Sequence, residues 1–272
     1  MNILRQVADK MADWSVFSKD FLFITLDSLR YDTAALALEA GQTPHFRSLV
    51  GEWQCRTAAA TYTLPSHVSM FAGMMPRPAQ RDETSLNKEA RLFALSTSWS
   101  RYRGRNIRYF FEDAPNVPKG FESRGYHTVG VGGVGWFSNE VSSSSFWQGN
   151  YFQHFLYKPT YGEDNAHALE EQIQDLATKL ASLPKGRRFI FINVSSTHRP
   201  YTNGDGASSV DSQRLCLQYV DRQLPRLLEL MQPGTVGVVC GDHGDCMGED
   251  GLWGHGVVHD KVFEVPYAEF QL

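Results

Sequence analysis

Short apolar runs that stop abruptly at polar residues constrain this chain more than any other feature. Phe21-Leu22-Phe23-Ile24-Thr25-Leu26 stops at Asp27-Ser28, and Arg188 to Val194 leads into Ser195-Ser196-Thr197-His198. Val236 to Val239 leads into Cys240-Gly241-Asp242-His243-Gly244-Asp245. Short apolar runs of this kind read as strands buried on both faces. Segments with helical spacing lie between them: Leu29 to Ala40, Pro44 to Trp53, a stretch after Pro65 ending at Gly73, Glu163 to Leu183, and Val210 to Met231. Pro225 predicts a kink or a break in the last of these. His127 to Val131 reads as a further strand, and Val262 to Tyr267 as a short final one. The alternation predicts an α/β fold, a three-layer sandwich with a mostly parallel central sheet. We expect a single domain over residues 1–272, with 76–119 as an insertion or covering segment.

Parallel sheets bind ligands at the C-terminal ends of their strands. Asp242 and His243 follow one such end, and a carboxylate with an imidazole there suits a divalent cation. Asp27 follows another strand; it is either a third ligand or the N-cap of the next helix. Thr63 lies at a helix start, where backbone N–H groups favour an anion; its hydroxyl is either a cap or a nucleophile. His198 and His255 also sit in loops after strands, so one sheet edge can gather all six residues. Cys55, Cys216, Cys240 and Cys246 form no C-x-x-C pair and read as reduced thiols, with Cys246 close to the candidate loop.

Charge and length remove other classes of function. A net charge of -4 gives no electrostatic reason to expect nucleic acid or an anionic membrane as partner. No stretch approaches the ~18 apolar residues of a membrane span. Met1 to Trp14 reads as an amphipathic helix rather than a signal peptide, so a cytoplasmic protein is expected. Arg101, Arg103, Arg105 and Arg108 read as a solvated basic loop. Gly130, Gly132, Gly133 and Gly135 do not form a dinucleotide fingerprint and read as a flexible loop at the site's rim. The aromatic stretch Phe146 to Tyr161 is expected to pack across the mouth.

Taken in order, these motifs resemble the alkaline phosphatase superfamily, in particular its sulfatase-like branch. Phe23 to Asp32 resembles the first metal-binding strand, and Thr43-Pro44-His45-Phe46 the Thr-Pro-Asn helix start. Thr63-Leu64-Pro65-Ser66-His67 resembles the nucleophile motif Cys/Ser-x-Pro-Ser-Arg, and Gly125-Tyr126-His127-Thr128 the Gly-Tyr-x-Thr strand. Thr197-His198-Arg199-Pro200-Tyr201 resembles the Thr-His-x-Pro-Tyr loop. Gly241 to Asp245, with Gly248-Glu249 and Gly251-Leu252-Trp253-Gly254, resembles the second metal loop.

The departures from that pattern bear on the chemistry. Thr63 cannot become formylglycine, because its β-carbon carries a methyl group; threonine there resembles the phosphodiesterase and phosphoethanolamine-transferase branches. His67 replaces the motif arginine, His255 replaces the usual lysine, Ser28 stands where many sulfatases have a second aspartate, and the usual C-terminal subdomain is expected to be lacking. The resemblance implies zinc or manganese, one ion with a second possible, held by Asp27, Thr63, Asp242, His243 and His255. It implies Thr63 and His198 as catalytic residues, and His67, His198 and His255 as contacts to a small phospho- or sulfo-ester. Asp245 and Glu249 are expected as supporting hydrogen-bond acceptors. The expected reaction is hydrolysis of phosphate or phosphonate esters through phosphothreonine. Transfer to an acceptor alcohol, sulfuric ester hydrolysis without formylglycine, and a non-catalytic metal-binding role are the alternatives.

Overall fold

A computed structural model describes residues 18–73, 115–138 and 147–272. Its centre is a seven-stranded sheet in the order β2-β9-β6-β1-β5-β3-β4. The strands are β1 (Phe21–Leu26), β2 (Gln54–Thr57), β3 (His127–Val131), β4 (His154–Leu156), β5 (Arg188–Val194), β6 (Val236–Gly241) and β9 (Glu264–Gln271). β6, β1, β5, β3 and β4 run parallel, while β9 runs antiparallel to both β6 and β2. A small hairpin, β7 (Cys246–Met247) with β8 (Trp253–Gly254), stands apart from the sheet.

Strand alternation gives the sheet two chemically distinct faces. Leu22, Ile24, Leu26, Ile190, Ile192 and Val239 point to an aliphatic core. Helices α1 (Tyr31–Glu39), α2 (Pro44–Val50), α5 (Ala168–Ser182) and α6 (Val210–Leu228) cover that face through side chains such as Leu38, Phe46, Leu176 and Leu217. Phe21, Phe189 and Phe191 point the other way, against α3 (Thr63–Ala72) and α4 (Val117–Glu122), where Phe71 and Phe121 meet them. Helices on both faces make this the expected three-layer α/β sandwich.

The parallel register does the positional work. Leu26 pairs with Val194 on one side and with Gly241 on the other. The residues that leave those strands therefore emerge side by side, and Asp27 and Asp242 become neighbours although 215 positions apart in sequence (242 − 27).

Several expectations change. β2 was not expected, and β9 is an eight-residue strand rather than a short one. α6 continues through Pro225 to Leu228 without a break. The glycine run is not a flexible rim loop. Gly130, Gly132 and Gly133 are buried, and a Cβ on Gly133 would lie 2.6 Å from the Asn193 backbone oxygen, closer than atoms can pack. The aromatic stretch does not roof the site. Trp147, Tyr151, Phe152 and Phe155 are buried in the aromatic core behind α3. The predicted N-terminal helix, the arginine cluster, and residues 76–114 of the expected insertion lie outside the described residues. Among the described residues, no helix is long and apolar enough to cross a membrane.

Candidate metal centre and nucleophile

Asp27, Asp242 and His243 converge where β1 and β6 end, and one ligand atom from each lies within 4.8 Å of the others. All three are fully buried. Asp27 is not a helix cap: the α1 N-cap is Arg30, and Asp27 instead meets Ser28 Oγ at 3.2 Å, Asn193 Nδ2 at 3.2 Å and His243 Nε2 at 3.8 Å. Asp242 Oδ1 accepts the backbone N–H groups of Ser28 at 3.0 Å and His243 at 2.9 Å. Its Oδ2 is buried with no hydrogen-bond donor among the described residues. Ser28 holds φ 60, a left-handed conformation unusual for serine, which places its N–H on Asp242.

Thr63 is the first residue of α3, and Tyr62 is its N-cap. The Thr63 hydroxyl therefore does not serve as the cap; it lies 3.3 Å from His243 Nε2. One helix turn later, His67 Nδ1 donates to the Thr63 carbonyl at 2.7 Å, because a carbonyl can only accept. His67 Nε2 is left to accept from Thr25 Oγ1 at 2.9 Å, and Asn193 Nδ2 donates to Thr25 Oγ1 at 3.1 Å and to Asp27 Oδ2. His67 is fully buried, with its ring against Phe137 and Phe191. This corrects the expectation of substrate contact at His67. Both nitrogens are used internally, and the ring ties the helix turn of Thr63 to Asp27 through Thr25 and Asn193.

A second trio, His243, Asp245 and His255, shares one imidazole with the first. Asp245 thus stands closer to the centre than the supporting role expected of it. Its Oδ1 accepts from His255 Nδ1 at 2.6 Å, and its Oδ2 accepts from the Tyr201 hydroxyl at 3.0 Å. His198 stacks edge-on to His255, with ring centroids 5.2 Å apart, but joins neither trio. Glu249 is occupied elsewhere. It pairs with Arg30 at 2.6 Å, and Arg30 also grips Asp32 through two bonds, fastening the β7–β8 hairpin to the start of α1. Gly244 is required here because a Cβ would lie 2.0 Å from the Lys261 carbonyl. His259 caps the short helix α7 (Asp260–Phe263), and Cys246 is buried outside both trios.

Sequence reading missed Thr25, Tyr201 and the Arg30 clamp. Each acts through a partner distant in sequence, so no local pattern marks it.

The electrostatics fit a cation. Burial, reinforced by the charge of Asp242, pushes the Asp27 carboxyl up to about 6. Burial lifts Asp242 to about 7 despite its two N–H donors. Burial, with His255 nearby, lowers His243 to about 4, so its ring is neutral and able to coordinate. Burial alone would lower His255, but its bond to Asp245 and the surrounding carboxylates outweigh that and raise it. Two buried carboxylates, a neutral imidazole and an unpartnered carboxylate oxygen form a donor set that a divalent ion would satisfy.

A pH prediction follows. In the metal-free protein the raised carboxylates favour the fold at low pH and lose that advantage as pH rises through about 6 and about 7. His67 and His243, depressed to about 3 and about 4, act in the opposite sense and lose stability as pH falls below 6.5. These contributions offset one another, so the readable quantity is the gain in Tm on adding zinc. Proton competition at the two carboxylates should make that gain about 5–10 °C larger at pH 8 than at pH 5.5. An equal gain at both pH values in differential scanning calorimetry would contradict the assignment.

The fold has counterparts among solved structures. A Vibrio parahaemolyticus protein in the alkaline phosphatase superfamily aligns at TM-score 0.57 and 17% identity, over 93% of this chain and 60% of its own. The C-terminal periplasmic domain of phosphoethanolamine transferase EptC from Campylobacter jejuni aligns at 0.59 and 13%, over 93% and 79%. The corresponding EptC domain from Escherichia coli, in complex with Zn, aligns at 0.58 and 11%, over 93% and 72%. This chain thus spans about 60% of the length of the Vibrio protein. No curated protein sequence matches it. The Sulfatase family profile matches residues 19–267. The chain therefore belongs to the sulfatase family.

Proposed function

We propose that this protein is a metal-dependent phosphoesterase working through a covalent phosphothreonine at Thr63. The observation that carries this reading is the Thr63 hydroxyl at the N-terminus of α3, beside His243 and the unpartnered Asp242 Oδ2. Asp27, Asp242 and His243 would hold the ion, zinc or manganese, with Thr63 beside them and His255 toward a second position. Such an ion supplies Lewis acidity and lowers the pKa of a hydroxyl next to it.

Thr63 gives up its hydroxyl proton to solvent, and its oxygen forms the bond to phosphorus in line with the departing alcohol. The bond from phosphorus to that alcohol breaks with its electron pair left on the alcohol oxygen, and His198 or His255 donates a proton to that oxygen. The positive dipole end of α3 favours the charge on the phosphoryl oxygens. Water then attacks the phosphothreonine; as its oxygen bonds to phosphorus the bond from phosphorus to Oγ1 breaks, a water proton passes to Oγ1, the phospho product leaves, the histidine regains its proton from solvent, and Thr63 is regenerated. His67 holds the helix turn that carries Thr63 throughout.

Transfer to an acceptor alcohol uses the same first half-reaction. The structural likeness to a protein named as a phosphoethanolamine transferase favours keeping it as the second reading. Formylglycine chemistry is closed to Thr63, which places sulfate esters behind phosphate esters.

The test is a panel of aryl phosphate, phosphodiester, phosphonate monoester and sulfate ester, with the protein loaded with zinc or manganese. Acid-quenched mass spectrometry should find phosphate on the peptide containing Thr63. Faster product formation with added alcohols would select transfer over hydrolysis. Metal uptake with no turnover of any ester would select a non-catalytic role.

A further inference from the structure

We infer that Arg199 is the anion clamp of this site: its guanidinium pairs with the non-bridging oxygens of the ester's phospho group, beside His198 and His255. This rests on the proposed reading of the site and deepens it by naming the group that holds the substrate.

The first argument is charge. The floor of the site carries Asp27, Asp242 and Asp245, all buried. A divalent ion would offset two of these three charges, and the remaining carboxylate repels an anionic ester, so positive charge at the mouth favours its binding. The other fixed cations nearby are already engaged. Arg30 pairs with Asp32 and Glu249, each at 2.6 Å, and Lys261 pairs with Asp32 at 2.8 Å. Arg199 differs: among the described residues its guanidinium makes no hydrogen bond and no ion pair.

The second argument is position. Arg199 directly follows His198 and is exposed. Its Nη2 lies 3.8 Å from the point where a Cβ on Gly254 would sit, so the guanidinium reaches the backbone next to His255. His255 in turn stacks on His198 and lies 4.4 Å from the His243 ring. The fork thus lies beside Gly254, next in sequence to His255.

The third argument is support. The backbone that carries Arg199 is pinned on both sides. His198 N donates to the Ser195 carbonyl at 2.9 Å, and Tyr201 N donates to the His198 carbonyl at 3.1 Å. Tyr201 is fully buried at φ 58 and donates its hydroxyl to Asp245. A buried tyrosine in a left-handed conformation fixes the loop against the site, with the arginine side chain exposed. A planar guanidinium offers two parallel N–H donors to a phospho group, a geometry an ammonium cannot match.

Inorganic phosphate is the probe. Its affinity for the metal-loaded protein is measured as a competitive inhibition constant, and independently by isothermal titration without turnover. Arg199→Gln should weaken phosphate about 10- to 100-fold, the range for losing a charge-assisted pair. Arg199→Lys should recover only part of that loss. Free guanidinium at tens of millimolar should restore phosphate binding to Arg199→Ala, a rescue that a merely structural arginine would not give. Phosphate affinity of Arg199→Gln within about threefold of the parent, or absence of rescue, overturns the inference. A parent protein that cleaves esters and a variant that binds phosphate equally well would sink this inference alone. A parent protein that neither cleaves esters nor binds phosphate would sink the reading of the site and this inference with it.

Discussion

Thr63→Ala is expected to lower turnover of an activated aryl phosphate about 10⁴-fold or more, the scale seen when a nucleophile is deleted. The fold should tolerate the change. Among the described residues Thr63 makes no capping bond, and its hydroxyl has a single neighbour at hydrogen-bond distance, His243 Nε2 at 3.3 Å. Stability should therefore move by less than about 1 kcal/mol, and metal content should stay close to that of the parent. Thr63→Ser keeps the oxygen and should retain most of the rate. The set is read by steady-state kinetics, thermal unfolding and elemental analysis of the dialysed proteins. Parent-level activity in Thr63→Ala would exclude Thr63 as the attacking group, whatever its proximity to the metal ligands.

Asp242→Asn is the second large effect, and it should separate stability from metal binding. Asp242 Oδ1 accepts two backbone N–H groups, so the amide oxygen of an asparagine must take that place. The amide nitrogen then occupies the position of Oδ2 and points a donor where a cation would need an acceptor. Zinc affinity should fall by more than the roughly 10–100-fold that loss of an outer hydrogen-bond partner costs. The metal-free variant should meanwhile unfold at a higher temperature than the metal-free parent above pH 7, because a buried carboxylate raised to about 7 no longer has to ionise. Calorimetry at pH 8 with and without zinc reads both effects. A variant that is less stable without metal, or that binds zinc as the parent does, would contradict the role given to Oδ2.

Much of the fold could be read locally. The runs Phe21–Leu26 and Arg188–Val194 carry their strand signal in consecutive apolar residues, and α5 carries its helix signal in the spacing of Leu169, Ile173, Leu176 and Leu180. β2 could not be read in this way. Gln54-Cys55-Arg56-Thr57 is mostly exposed and has no apolar pattern; it is a strand because β9 pairs with it. The glycine run and the aromatic stretch were misplaced for a related reason. Their composition fits a rim loop and a lid as well as it fits tight packing, and only the approach of Asn193 and Phe71 decides between them.

By itself the sequence determined that the chain alternates strands and helices, and that Asp27, Thr63, Asp242 and His243 sit at element ends, because those signals lie within a few consecutive residues. The tertiary structure decided which of them meet, since the register of β1 between β5 and β6 sets Asp27 beside Asp242. It also turned His67 inward, joined Asp245 to His255, and left the Arg199 guanidinium with no hydrogen bond or ion pair among the described residues. Each of those outcomes is a contact between residues brought together only when the sheet closes, and no stretch of chain encodes such a contact alone.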